Sequence, residues 1–413
     1  MFILNQAQLK KYAELLVRSG GNVQKGQPVF INCDIVNAEF ARMVQDYAYK
    51  AGASEVRINW GDDESTRTWY IHSADSLFDE YPQWMVDRMK HYDDRGVVYL
   101  HINSSSPDLL NGVDTDRLRR FLKASREALK PHSELTMSTK IRWSLVAAPS
   151  LRWAAMVFPD LREEEAVEAL WKAILKGARA DGENPIKDWE IHRDSFKKRT
   201  EYLDNKGFKA LHFTNSLGTD FTIGLPKNHR WMGGGGNDPN GIHCFLNMPT
   251  EEIFTAPDKN HAEGKVVASM PLSYQGNLIE DFSITFKNGR AVDYQAKAGK
   301  EILKSIIEMD EGSCYLGEVA LVANSSPISQ MNTLFYNTLF DENASSHLAL
   351  GKAYPKCLEN GLNMSKEELA QAGINESLLH VDFMFGTADM HVDGIAEDGT
   401  RTVVMENGEF VGV

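Results

Sequence analysis

Pro28-Val29-Phe30-Ile31-Asn32-Cys33, followed by Phe40, Met43, Val44 and Tyr47 at helical spacing and then by Glu55-Val56-Arg57-Ile58-Asn59-Trp60, reads as strand, helix, strand. Val97-Val98-Tyr99-Leu100-His101-Ile102 and Ser144-Leu145-Val146-Ala147-Ala148 repeat the strand signal, each after a helical pattern, over 66–91 and 114–129. Strands that alternate with helices predict a mostly parallel sheet covered on both faces, because a parallel connection must carry the chain back along the sheet. Upstream, Leu9, Tyr12, Leu15 and Leu16 mark a first helix that stops at Gly20-Gly21.

Further along the pattern changes. Two charged helices are expected over 163–178 and 186–205, and from Phe208 short strands follow: 210–214, 221–225, 266–270, 279–286 and 291–296, with Asn288-Gly289 as a hairpin turn. Another hairpin signal, Thr402-Val403-Val404-Met405-Glu406-Asn407-Gly408-Glu409-Phe410, ends the chain. A length of 413 residues exceeds what one hydrophobic core usually serves. The expectation is therefore an α/β protein of two domains, an N-terminal α/β domain over 1–206 and a strand-rich α+β C-terminal domain over 207–413.

Composition narrows the function. With 42% hydrophobic and 25% charged residues the chain is an ordinary globular protein, and a net charge of -14 with a pI near 5.4 opposes attraction to nucleic acid or anionic membranes. Met1-Phe2-Ile3-Leu4-Asn5-Gln6 has no basic region leading into an apolar core, and no segment has the length to span a bilayer, so a cytoplasmic protein is expected. Cys33, Cys244, Cys314 and Cys357 form no C-x-x-C pair and are expected to be reduced and buried.

Several motifs are excluded. Gly233-Gly234-Gly235-Gly236 lacks both phosphate-binding glycine patterns and reads as a mobile loop. Asp389-Met390-His391-Val392-Asp393-Gly394 starts like a calcium loop, but its twelfth position is Thr400 where a bidentate Glu is needed. There is no H-E-x-x-H and no G-x-S-x-G.

The chemistry gathers between Gly317 and Asp382. In Leu379-His380-Val381-Asp382-Phe383-Met384-Phe385 an alternating strand sets His380 and Asp382 on one face and Val381 and Phe383 on the other. Imidazole and carboxylate projecting from an apolar wall suit a divalent metal, though a plain His-Asp hydrogen bond would explain them as well. Glu318, flanked by Val319, Leu321 and Val322, is out of place as a solvated charge. His347 reads equally as a core histidine or a ligand. Glu252, one of two adjacent glutamates, reads on spacing alone as a surface charge.

Together, Asn247-Met248-Pro249-Thr250-Glu251-Glu252-Ile253-Phe254-Thr255-Ala256-Pro257, Leu316-Gly317-Glu318-Val319-Ala320-Leu321-Val322, Ser346-His347-Leu348-Ala349-Leu350-Gly351 and His380-Val381-Asp382-Phe383-Met384 resemble the aminopeptidase T and aminopeptidase S family of thermophilic metalloaminopeptidases, nearly end to end. The resemblance implies metal ligands at Glu252, Glu318, His347, His380 and Asp382, and an active-site tyrosine at Tyr354. It leaves open which Glu bridges the metals or acts as base, with Glu342 a further candidate. It also implies a C-terminal metal-binding domain, peptide substrates with a free N-terminus, and a homodimer. Five ligands exceed what one ion needs, so two divalent ions (zinc, cobalt or magnesium) are expected. On charge counting Glu318 is the expected proton acceptor, with Tyr354 donating to the oxyanion. A dipeptidase or amidohydrolase using the same ligands is the competing expectation.

Overall fold

The computed structural model describes residues 6–274 and 276–413. Met1 to Asn5, read above for a leader, lie outside the described residues. The chain forms two compact units: the residues up to Glu190 together with Gly235–Pro249, and Ile191–Gly234 together with Thr250–Val413.

The first unit carries a five-stranded sheet. Its strands are β1 (Pro28–Asp34), β2 (Glu55–Gly61), β3 (Val98–Asn103), β4 (Trp143–Ala147) and the short Asn247–Met248. They lie in the order β2, β1, β3, β4, then 247–248, every pair parallel. The alternation of strands and helices is thus realised as expected. The helices Gln6–Leu15 and Ala38–Lys50 pack together through Tyr12 and Phe40, whose rings stack at 5.3 Å. One face of the sheet packs Phe30, Tyr99 and Trp143 with Met89, Tyr92 and Leu135 of the helices Gln83–Asp93 and Lys130–Met137.

The long helix expected over 66–91 is three pieces instead: Asp63–His72, a 3-10 turn at Asp75–Phe78, and Gln83–Asp93. Ser73 leaves the first helix in extended conformation at ψ 155°. Pro82 then precedes the last piece, where its ring disfavours a helical residue before it.

The second unit is strand-rich. Eight antiparallel strands run across the sheet as Arg290–Gln295, Ser283–Lys287, Ala262–Val267, Asp220–Gly224, Ala210–Thr214, His391–Ile395, Arg401–Glu406 and Glu409–Phe410. A second antiparallel sheet contains β5 (Met232–Gly233), β6 (Ile253–Thr255), β7 (Leu316–Leu321), β8 (His347–Gly351) and β9 (His380–Met384), ordered β9, β8, β7, β6, β5. Ile253, Val319, Leu321, Leu348, Leu350, Val381 and Phe383 from this sheet join Phe213, Phe221 and Phe286 from the other in one core. The glycine run 233–236, expected as a mobile loop, is paired at both ends, Gly233 with Ile253 and Gly236 with Cys244. Glycine permits this because it has no Cβ to block a neighbouring backbone.

Candidate metal centre

Strand alternation builds the site. Residues that go into the core from β6 to β9 are Ile253, Val319, Leu321, Leu348, Leu350, Val381 and Phe383. The opposite face therefore carries Glu252 and Phe254, Glu318 and Ala320, His347 and Ala349, and His380, Asp382 and Met384. Register aligns them: Glu318 faces Ala349, which faces Asp382, while Ala320 faces His347. Alanines between the polar residues leave room for their side chains to converge.

Two glycines set the frame. The pairing of β7 with β8 shifts between Leu316 and Glu318, a bulge at Gly317, and bulges re-aim the neighbouring side chain. A Cβ at Gly317 would collide with the carbonyl oxygens of Gly351 and Lys352. Gly351 ends β8 at φ +100°, a conformation that side chains other than glycine rarely adopt, and there the chain turns toward Tyr354.

The five residues form two overlapping groups, Glu252 with Glu318 and His347, and Glu318 with His380 and Asp382. His347 Nε2 lies 2.9 Å from Glu252 Oε2 and 3.5 Å from Glu318 Oε1. His380 Nε2 lies 3.8 Å from Glu318 Oε2 and 3.2 Å from Asp382 Oδ1. Glu318 is the member common to both. His347 donates Nδ1–H to the Ser345 carbonyl at 3.0 Å, and His380 donates Nδ1–H to the Lys352 carbonyl at 2.7 Å. In the neutral imidazoles those bonds leave the lone pair on Nε2, directed at the carboxylates.

The buried atoms Glu252 Oε2, His347 Nε2 and Asp382 Oδ1 have no hydrogen-bond partner in the protein. Leaving a buried polar atom unsatisfied costs about 1–3 kcal/mol, more when it is charged. Imidazole nitrogens and carboxylate oxygens facing one another at such distances fit divalent transition metals, which would satisfy all three orphans at once.

The electrostatics agree. Burial raises the Glu318 carboxyl, and repulsion from Glu252 and Asp382 adds to it, against the pull of the adjoining His347. Burial disfavours a charged His347, yet the adjoining Glu252 and Glu318 carboxylates outweigh it and hold its pKa well above the ordinary value. His380, also opposed by burial, is carried up to about 9 by Asp382 and Glu318. For Asp382 burial acts upward, but His380 prevails and its pKa is lowered. The cluster thus holds protons when no other cation neutralises it.

The run from His347 to Tyr354 is a strand and a turn, not a helix. After Gly351 the chain is held by Asn375, which donates to the Gly351 carbonyl at 2.6 Å and accepts from Ala353 N–H through its own carbonyl at 3.0 Å. This turns Tyr354 back, with its ring 5.0 Å from the His380 ring. Burial and the surrounding carboxylates raise its phenol pKa, so it stays a donor. Glu342 is partly buried, its carboxyl raised well above the ordinary value by desolvation and by Glu252 and Asp382, but it is absent from both ligand groups. Sequence reasoning missed Gly317, Asn375 and the carbonyls of Ser345 and Lys352. Glycine before a lone strand glutamate hints at a bulge, whereas a backbone carbonyl leaves no mark in a sequence.

Comparison with known proteins adds independent findings. The sequence profile of the thermophilic metalloprotease (M29) family matches residues 5–410. The chain is 46% identical over 403 residues to aminopeptidase AmpS of Bacillus subtilis (strain 168), covering 98% of each. It is 42% identical over 405 residues to aminopeptidase 2 of Geobacillus stearothermophilus, again covering 98% of each. The fold superimposes on wild-type AmpT from Thermus thermophilus with a TM-score of 0.92 at 40% identity, covering 98% of this chain and 99% of that one.

Proposed function

Because the chain belongs to the thermophilic metalloprotease (M29) family, and is a metallo-aminopeptidase, we propose that it removes residues from free peptide N-termini at the Glu318 cluster with two divalent ions. The observation that carries the two-ion reading is the position of Glu318, whose two carboxylate oxygens lie against different imidazoles. Glu252 and His347 would complete one ligand group, and His380 and Asp382 the other. Bound zinc, cobalt or magnesium would supply Lewis acidity, lowering the pKa of water and polarising the scissile carbonyl.

The protein's own groups then divide the work. Glu318, raised by burial, is suited to accept a proton from water and to return it to the leaving amine. Tyr354, kept protonated and with its ring beside His380, would donate a hydrogen bond to the developing oxyanion. The carboxylates around the site favour a cationic substrate amine over a blocked one. The competing dipeptidase or amidohydrolase reading draws no support from the relatives, which carry aminopeptidase names.

A cytoplasmic homodimer is part of the same proposal, supported by four buried, unpaired cysteines and by the family resemblance. Among the described residues no helix is long and apolar enough to cross a membrane. The test is an assay of chelated, then zinc- or cobalt-loaded protein on aminoacyl amides with free and acetylated amines. Cleavage confined to free amines is expected; equal cleavage of acetylated ones overturns the exopeptidase reading.

A further inference from the structure

The parallel sheet of the first unit carries polar residues where its packing calls for apolar ones. Strands covered on both faces normally read as continuous hydrophobic runs. On the face that packs Phe30, Tyr99 and Trp143, the next rung toward the carboxyl ends is instead Asn59, Asn32 and His101, paired across β2, β1 and β3. Beyond it comes Asp34, aligned with Gly61. These residues line an open cleft of about 440 Å³ together with Asn103 and Trp143. It sits where the strand order reverses, since β1 connects to β2 on one side and has β3 on its other. In open parallel sheets that is where ligands bind.

The rung is internally wired. Arg88 donates to the Asn59 side-chain carbonyl at 3.0 Å, Asn59 donates to that of Asn32 at 3.1 Å, and Asn32 Nδ2 lies 3.3 Å from His101 Nδ1. Burial pushes the pKa of His101 down to about 4, so the ring is neutral. Its Nδ1 therefore accepts from Asn32, and the proton resides on Nε2. Asp34 accepts from Ser104 at 2.8 Å through Oδ2, and among the described residues no Lys or Arg is paired with it. Burial raises the nearby Asp63 carboxyl, with Asp34 adding like-charge repulsion. Gly61 keeps the Oδ1 side clear, because a Cβ there would collide with that oxygen.

We propose that this cleft is a second ligand site, built from none of the metal-cluster residues, for a small primary amine of about dipeptide size. Its ammonium pairs with Asp34 and its carbonyl accepts from His101 Nε2–H. No phosphate or carboxylate is favoured, because the lining offers an anion and carboxamides but no cation. The volume falls within the range of small-molecule sites, roughly 300–1,000 Å³.

The test is calorimetric titration of the chelated full-length protein, in which no turnover occurs, with glycylglycinamide, N-acetylglycylglycinamide and ribose. Glycylglycinamide is expected to bind wild type and Glu318→Gln alike. Asp34→Asn, isosteric and outside the metal cluster, should weaken it at least about tenfold while leaving peptidase activity of the loaded enzyme unchanged. Acetylation of the probe should weaken binding by a similar factor without any mutation. Equal affinity for Asp34→Asn, loss of binding in Glu318→Gln instead, tighter binding of ribose, or no binding to wild type at millimolar concentration would each overturn the proposal. Peptidase activity is read separately, so failure here leaves the metal-cluster reading untouched.

Discussion

Nε2 of His347 lies 2.9 Å from Oε2 of Glu252, and both atoms are buried without a hydrogen-bond partner. Two lone pairs at that distance repel unless a cation lies between them or a proton joins them. Protons and metal ions therefore compete for the same atoms. In chelated protein at pH 7, His347, held well above its ordinary pKa, and His380, at about 9, are both protonated. Zinc binding should release about two protons per chain, because ligating imidazoles must be neutral. Binding heats measured in buffers of different ionisation enthalpy count them. Zinc uptake with no proton release would remove these imidazoles from the ligand set.

Glu318→Gln should lower both metal content and activity, since its two oxygens face separate imidazoles. Loss of the proton acceptor costs about 10²–10⁴ in kcat beyond any loss of metal. The check is kcat measured at saturating zinc alongside metal analysis. Wild-type kcat in a fully loaded mutant would make Glu318 a spectator.

Tyr354→Phe separates hydrogen bonding from packing. The ring remains against His380, 5.0 Å away, so the fold and the metal content should be unchanged. Removing an oxyanion donor typically lowers kcat by about 10²–10³ with little effect on ground-state binding. Steady-state kinetics should show kcat falling while KM stays near wild type. A near wild-type kcat returns Tyr354 to a structural role.

His101 makes stability depend on pH. Its folded pKa of about 4 lies below the unfolded value of about 6.5. Above pH ~6.5 the imidazole is neutral in both states and its contribution is fully present. As pH falls toward 4 only the unfolded chain takes the proton, and stability drops by about 1.4 kcal/mol per pH unit. Between pH ~8 and ~5 the loss is about 2 kcal/mol, measurable by urea unfolding. His101→Gln should flatten that slope. An equally steep slope in the variant would assign it to other groups.

Local periodicity in the sequence was sufficient for the α/β character of the first unit, the strand-rich second unit and the types of residue at the site. Alternation in His380-Val381-Asp382-Phe383 already separated a polar face from an apolar one, because a strand's two faces depend only on neighbouring residues. Tertiary structure alone decided the rest. Register across β6, β7, β8 and β9 brought Glu252 and Glu318 to His347 and His380, and the bulge at Gly317 aimed Glu318 between the imidazoles. Backbone carbonyls of Ser345 and Lys352 chose the atoms those imidazoles present. The return of 235–249 to the first unit and the polar rung of Asn59, Asn32 and His101 were likewise invisible along the chain. Each of these depends on contacts between segments remote in sequence, and a contact between remote strands has no period within either one.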